Sequence, residues 1–319
     1  MGEKWRGNHC YGGKAMIKFT LVRLFQAVLT LLAASFVVFV LARVTGSPAD
    51  TMLPMDATPA EREAMIKRLG LDLPLVQQYW LYLQDALRGD FGVSLRTKRP
   101  VVELVQDRLF NSLKLASAAM VFTVVISLPL GVIAAVHRGR IWDRIAMTVA
   151  LLGQSLPSFW TGIVFIIVFA VMLGWFPTSG TGSWRHYVLP AVSMGWFTSA
   201  GVVRLLRSST LEVLDSEYIK LARLKGLREL VVVGKHALRN ALIPVITFIG
   251  FMYGIIIAAA ITTEVVFTWP GLGRLAYEAV LWRDFPLLQL TVLTWACFIV
   301  VINFAVDLVY VILDPRIRL

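Results

Sequence analysis

A chain of 319 residues that is 57% hydrophobic and only 16% charged does not have the composition of a soluble domain, in which about a quarter of the residues are charged. Its mean hydropathy of +0.71 excludes a soluble enzyme, and its two cysteines, Cys10 and Cys297, exclude a disulfide framework and a zinc pattern. The 31 Lys and Arg against 20 Asp and Glu leave a formal +11, which suits either nucleic acid or the cytoplasmic faces of a membrane protein.

Position decides between these, because the charges fall between long charge-free windows. A helix crossing the ~30 Å hydrocarbon layer needs about 20 mostly apolar residues. Stretches without Asp, Glu, Lys or Arg run from Arg23 to Arg43, Lys114 to Arg138, Arg144 to Arg185, Arg185 to Arg204, Arg239 to Glu264 and Asp284 to Asp307. They predict an all-α integral membrane protein with six helices over about 20–44, 112–136, 145–173, 187–204, 242–263 and 287–312. The Arg144–Arg185 window is the longest, and its Gly174–Trp184 end is rich in Gly, Ser, Thr and Pro; it predicts one long span closing near Trp175, then a short loop. Asp307 is the one acid well inside a predicted span, and snorkelling or a helix–helix contact accounts for it.

The loops predict the direction. Lys4, Arg6, Lys14 and Lys18 face only Glu3 ahead of the first span, Arg138, Arg140 and Arg144 face Asp143 in the second-to-third loop, and Arg316 and Arg318 face Asp314 in the tail. The fourth-to-fifth loop is basic too, whereas 44–111 and 264–286 are close to neutral. Excess Lys and Arg stays cytoplasmic, so both termini are expected inside and residues 44–111 outside. The surplus is a topology signal, not a nucleic-acid footprint. The first apolar run outlasts the 7–15 residues of a signal-peptide core. Residues 1–15, polar and glycine-bearing, are expected to be a flexible extension ahead of Met16.

Outside the bilayer, Thr58-Pro59-Ala60-Glu61 offers an N-cap threonine, proline at N1 and glutamate at N3, a capping box, with Gly70 placed as its C′ residue. A second helix is predicted from Pro74 to Gly89, its Val76, Tyr79, Trp80, Leu83 and Leu87 forming one apolar stripe. It suits an interfacial helix on lipid headgroups, or a platform for an extracytoplasmic partner; the turn Gly89-Asp90-Phe91-Gly92 follows. Between spans five and six, Trp269-Pro270-Gly271-Leu272-Gly273-Arg274 begins a short helix ending near Trp282-Arg283-Asp284. Proline and glycines at this depth need protein or a cavity over the backbone, so a re-entrant plug fits, with a surface turn as the alternative. Gln154 and Ser155 in the third span and Met252 and Tyr253 in the fifth either line a passage or act as polar glue and gap filling.

The cytoplasmic loop 205–241 is the most informative. Tyr218 to Lys225 reads as a helix with Tyr218, Leu221, Ala222 and Lys225 on one face, stopped by Gly226, and a second helical run from Glu229 to Asn240 leads into span five. A short helix held across the ends of membrane helices is a handle by which a partner moves the spans; a solvated basic loop is the plainer alternative.

These residues closely resemble a family. Glu217-Tyr218-Ile219-Lys220-Leu221-Ala222-Arg223-Leu224-Lys225-Gly226-Leu227, then His236-Ala237-Leu238-Arg239-Asn240-Ala241-Leu242-Ile243-Pro244, resembles the EAA loop of binding-protein-dependent ABC importer permeases, and more narrowly the dipeptide/oligopeptide/nickel branch. The likeness runs from Met16 onward through Gly70-Leu71-Asp72-Leu73-Pro74, Gly89–Gly92, Arg204-Leu205-Leu206-Arg207, Trp269–Arg274 and Asp314-Pro315-Arg316-Ile317-Arg318. Lys220 stands where the general pattern has glutamate, and Pro244 lies farther from Gly226 than in that pattern; both departures suit the peptide/nickel branch.

The resemblance implies a type I importer half: a flexible extension (1–15), the first span with an outer helical insertion (16–107), a five-helix core (108–308) and a cytoplasmic tail (309–319), in a bacterial inner membrane. It implies pairing with a second, related permease, two cytoplasmic ATPase subunits and an extracytoplasmic binding protein. ATP and Mg would sit on the ATPases, with no cofactor here; the chain has no G-x-x-x-x-G-K-[S/T] phosphate loop. Coupling would run through Glu217, Tyr218, Ala222, Arg223, Gly226, Leu227, His236, Arg239 and Asn240. No metal site is expected, since none of His9, His137, His186 and His236 lies in a span interior. An ion-coupled secondary transporter is the rival reading, and would need ionisable groups near the midplane. Peptide, glutathione, nickel complex, opine and sugar cargo all stay open.

Overall fold

The computed structural model describes residues 11–44, 49, 53, 57–68 and 70–313, with backbone only for 11–19 and 307–313. The expected start of the extension, the tail words at Asp314–Arg318 and the side chain of Asp307 therefore lie outside the described residues. In chain order the helices are α1 (Tyr11–Val44), α2 (Pro59–Arg68), α3 (Leu75–Leu87), α4 (Val101–Val136), α5 (Ile141–Ser155), α6 (Ser158–Phe165, prolonged by the π-helical Ile166–Met172), α7 (Arg185–Leu214) and α8 (Glu217–Leu224). A single α-turn, α9 (Glu229–Val231), runs through π-helical Val232–Ala237 into α10 (Leu238–Val266), followed by α11 (Leu272–Leu281) and α12 (Phe285–Leu313). Among the described residues the only strand-like pairing is an isolated bridge, Val93 with Pro100. The all-α expectation holds.

Among the described residues, five stretches are long and apolar enough to cross a membrane: Thr20–Val44, Val101–Val136, Arg185–Leu214, Glu229–Val266 and Phe285–Val306. A sixth crossing exists only if α5 and α6 with its π extension count as one, and they are bent by 102°. The single long span expected over 145–173 is thus corrected to two helices. The cause is Pro157, which has no N–H to continue the ladder and drives the residue before it out of the helical region; Leu156 sits at φ −115°, ψ 137°. α4 starts well before residue 112 and α7 runs well past 204, because their polar ends carry charges that a charge-free window leaves out.

The chain divides into two compact units, Met1–Asp90 with Val292–Leu319, and Phe91–Thr291. In the second, α4 and α7 pack through hydroxyls and small residues. The hydroxyls of Thr123 and Thr198 meet at 2.7 Å, Thr123 also donates to the Gly195 carbonyl at 3.0 Å, and Ser127 donates to that of Ser199. Inside a bilayer the surrounding lipid is as apolar as leucine, so helix association rests on such contacts rather than on apolar burial. Val202 and Leu206 of α7 bury against Ala241 and Val245 of α10, and Ala150 of α5 against Ala200 and Val203.

In the first unit, Ser35 of α1 meets the Tyr79 hydroxyl at 2.8 Å, and Phe39 packs against the rings of Tyr79 and Tyr82. Arg43 lies over the Phe39 ring and donates to Gln78 at 3.0 Å. Burial, together with neighbouring Tyr79, pushes the Tyr82 phenol up to about 12. The predicted stripe on α3 divides: Tyr79 turns to α1, while Val76, Trp80 and Leu87 stay exposed. The capping box forms as predicted. The Thr58 N–H and hydroxyl donate to Glu61 at 2.8 Å, and the Glu61 N–H returns a bond to the Thr58 hydroxyl.

Candidate coupling loop, outer segments and passage

α8 carries the candidate coupling residues, and it has two faces. Ile219 and Ala222 bury against Val232 and Ala237, with Val213 and Leu214 at the edge. Leu221 and Leu224 are exposed, Leu224 at 83% and Leu230 beyond it at 87%, while Tyr218 is partly exposed with its hydroxyl turned back to α10. The face predicted for Tyr218, Leu221, Ala222 and Lys225 is therefore split: Ala222 anchors, while Leu221 projects. The helix ends as expected. Gly226 adopts φ +77°, its N–H bonds to the Arg223 carbonyl and the Leu227 N–H to that of Ala222, a Schellman closure that favours glycine.

The remaining loop residues brace this arrangement. Asn240 donates to the Tyr218 hydroxyl at 2.7 Å, tying α8 to α10. Arg223 holds Glu229 through two bonds of 2.7 and 3.2 Å, which raises its guanidinium further above the usual value. Lys220 pairs with Glu217 at 2.7 Å on the open side. His236 is half-buried in the π-helical turn, and Arg239 is exposed. The structure thus brings Glu217, Tyr218, Ala222, Arg223, Gly226, Leu227, His236, Arg239 and Asn240 into one contiguous region of chain, α8 through the start of α10.

The outer words are bound into the fold just as tightly. Trp269 is fully buried, its indole N–H donates to the Asn111 carbonyl at 3.0 Å, and Tyr187 meets its ring edge-on at 4.6 Å. Asn111 returns a bond to the Pro270 carbonyl at 3.0 Å. Buried Glu264 accepts from Ser112 and from the Arg274 N–H, and Ser112 accepts from the Leu272 N–H at 2.7 Å. This carboxylate and hydroxyl occupy the N-terminus of α11, where orphan N–H groups need acceptors. Gly271 makes room for it: a Cβ there would sit 2.3 Å from a Glu264 oxygen, and one on Gly273 2.5 Å from the Ile261 Cα. At the far end of α11, buried Asp284 accepts from Ser94 and from the Leu287 N–H, while Arg96 stacks over Trp282 at 3.9 Å. At the earlier turn, Gly89 and Gly92 have φ +80° and +77°; the Asp90 N–H bonds to the Asp85 carbonyl, and Phe91 is half-buried.

The four passage candidates separate. Tyr253 meets the Ser117 hydroxyl at 2.9 Å and Met252 is half-buried; Gln154 and Ser155 are exposed at the α5–α6 break. Sequence reasoning missed Glu264 with Ser112, Asp284 with Ser94, and Asp143 with Arg207. The last is a two-pronged ion pair of 2.7 and 2.8 Å joining α5 to α7. A signal exists for two of them: Glu264 and Asp284 are acids standing at the very edge of long apolar runs.

An all-helical, multi-pass chain whose amphipathic helix is held between two long apolar helices has the architecture of a transport permease. The chain matches the family described as binding-protein-dependent transport system inner membrane component over residues 127–319, and that family's N-terminal domain over 16–116. It is 40% identical over 304 residues to the glutathione transport system permease protein GsiC of Escherichia coli (strain K12), covering 95% of this chain and 99% of that one. GsiC of Shigella dysenteriae serotype 1 (strain Sd197) matches equally. Inward-facing MetNI methionine ABC transporter structures superpose with a TM-score of 0.58 at 20% identity, over 67% of this chain and 98% of theirs. An amino acid ABC transporter with histidines gives 0.53 at 15% identity, over 68% and 95%. The chain belongs to the binding-protein-dependent transport permease family. It is a permease subunit of an ABC importer, a multi-pass inner-membrane protein that works with ATPase subunits and a binding protein; ATP hydrolysis belongs to the ATPases.

Proposed function

We propose that this subunit forms half of the membrane passage for a small anionic peptide of the glutathione class, pairs with a second, related permease, and takes its drive from two ATPases that grip α8. Both termini face the cytoplasm, as the charge asymmetry suggests, and ATP with Mg resides on the partners. The cargo reading leans on the 40% identity to GsiC over nearly the whole length of both chains.

One observation carries the coupling reading: α8 is anchored by Ile219 and Ala222 yet leaves Leu221 and Leu224 uncovered and Tyr218 partly so. Aromatic and large apolar residues beside a charge are what interface hot spots are made of, whereas a solvated loop has no use for leucine at 83% exposure. Closing of the ATPase pair would push α8, and the tie from Asn240 to Tyr218 would carry that motion into α10. The test is reconstitution of both permeases, the ATPases and the binding protein in proteoliposomes. Glutathione should stimulate ATP hydrolysis and enter the lumen. Hydrolysis that responds to a dipeptide or sugar but not to glutathione refutes the cargo reading and leaves the coupling reading standing.

A further inference from the structure

Among the described residues, eight glycines and three other residues have a left-handed backbone: Lys98 at φ 58°, Thr268 at 51° and Arg283 at 50°. A Cβ in that region crowds the neighbouring carbonyl, so glycine fits there with least strain. Two of the three exceptions are exposed cations, and the fold brings them to one place.

Arg283 closes α11. Its N–H bonds to the Val280 carbonyl at 3.2 Å and the Asp284 N–H to that of Ala279 at 2.9 Å, a Schellman closure whose left-handed position usually falls to glycine. Lys98 ends the tip of a tight hairpin. The Ser94 N–H bonds to the Arg99 carbonyl at 2.9 Å, the Lys98 N–H returns to the Ser94 carbonyl at 3.0 Å, and the Thr97 N–H reaches the Ser94 hydroxyl at 3.0 Å. This hairpin is clamped to the end of α11: the Ser94 hydroxyl and the Arg96 N–H both donate to the Asp284 carboxylate, next to Arg283, and the Arg96 guanidinium lies 3.9 Å over the Trp282 ring. The Asp284 carboxylate is buried, and Arg99 is held by Glu103 and Asp107. Arg96, Lys98 and Arg283 are exposed, and among the described residues no carboxylate forms an ion pair with them.

We infer that Arg96, Lys98 and Arg283, at the hairpin tip and the end of α11, form a docking point for an acidic face of the extracytoplasmic binding protein. This rests on the topology proposed above, which puts residues 44–111 and 264–286 outside. Strained backbone persists only where the surrounding structure holds it, and it gathers at functional positions. Fixed cations suit a partner whose carboxylates are fixed as well. A folded protein has such carboxylates, whereas lipid headgroups rearrange around any cation and need no strained backbone to meet them. Side chains already in place lose little freedom on binding, and complementary charge acts mainly by speeding encounter. Both suit a partner that docks and leaves in every transport cycle.

The experiment titrates purified, liganded binding protein against the full importer in phosphatidylcholine nanodiscs and reads the concentration that half-saturates ATP hydrolysis. Lys98→Gly with Arg283→Gly relieves the backbone and removes both charges together. We expect the thermal midpoint held or raised, hydrolysis without binding protein unchanged, and the half-saturating concentration raised roughly tenfold at low salt. The difference should shrink to about twofold or less in 0.5 M salt, on the order of the concentration at which exposed charges are screened. A half-saturating concentration within about twofold of wild type at low salt overturns the inference. A loss seen only when anionic lipid is added to the nanodiscs assigns the patch to headgroups, and overturns it too. If the glycine pair does not assemble, Lys98→Gln with Arg283→Gln is compared with Lys98→Arg with Arg283→Lys. Docking about threefold or more tighter in the pair that keeps its charge supports the site, and equal docking overturns it. A Lys98→Cys variant that a membrane-impermeant maleimide labels only from the cytoplasmic side overturns the topology, and this inference falls with it.

Discussion

Gly271→Ala is the sharpest structural perturbation available outside the coupling loop. The new methyl would lie 2.3 to 2.4 Å from three atoms of the Glu264 carboxyl group. That carboxylate cannot swing aside freely, because Ser112 and the Arg274 N–H hold it, and Ser112 in turn receives the Leu272 N–H. Loss of a hydrogen bond to a charged group costs about 1.5–3 kcal/mol, and overpacking a filled site adds about 1–3 kcal/mol, so the expected cost is about 3–5 kcal/mol. Gly234→Ala is the control: no atom lies within 4 Å of its Cβ position, and the effect should stay within about 0.5 kcal/mol. The assay is the thermal midpoint of the purified subunit in detergent, where about 1 kcal/mol corresponds to 2–4 °C for a domain of 150–250 residues. Gly271→Ala should therefore lower the midpoint by roughly 10 °C. In a Ser112→Ala background, which already loosens the carboxylate, the same change should cost less. A shift no larger than that of the control refutes the account of how α11 is seated.

Three further outcomes are expected. Asp143→Asn leaves the partly exposed Arg207 guanidinium without its two-pronged anionic partner where α5 meets α7, a loss of about 1.5 kcal/mol, visible as a lower unfolding midpoint. The Thr58 N–H and hydroxyl hold the Glu61 carboxyl below its usual value; the capping of α2 is therefore complete above pH 4.5 and lost as pH falls through the depressed folded value, which faster amide exchange at Arg62–Ile66 in acid should report. Replacing Gly89 and Gly92 by valine forces two β-branched residues to positive φ, each costing about 1–2 kcal/mol, and should impair transport while ATPase subunits still co-purify.

Much of this architecture was legible in the residues, and the failures have physical causes. Charge-free windows found the apolar helices because burying a charge in hydrocarbon is costly, but they misjudged where helices end, since nothing obliges a helix to stop at the membrane surface. The same windows hid the α5–α6 break, although Pro157 marks a place where the ladder cannot continue. Helical periodicity located α8, yet could not tell that Ala222 would face Ile219's pocket while Leu221 stayed in the open, because that depends on where Val232 and Ala237 arrive after the turn at Gly226. The Trp269–Arg274 word was recognisable, but the reason for its glycine was not: Gly271 makes room for a carboxylate seven residues upstream, and only the folded backbone brings the two together.

The central claim is that α8 transmits the ATPase stroke, and the most direct measurement is glutathione-stimulated hydrolysis by the reconstituted importer carrying Leu224→Asp. Leu224 is 83% exposed and stands outside the buried cluster of Ile219, Ala222, Val232 and Ala237, so the change should alter the subunit's stability by only about 0.5 kcal/mol. In a cleft on an ATPase it would place a charge in an apolar contact, where losses of about 2 kcal/mol or more are expected, equal to a roughly thirtyfold weaker grip. The account predicts a permease that inserts and pairs with its sister but releases its ATPases or no longer stimulates them. Full stimulation with normal uptake in that variant contradicts it.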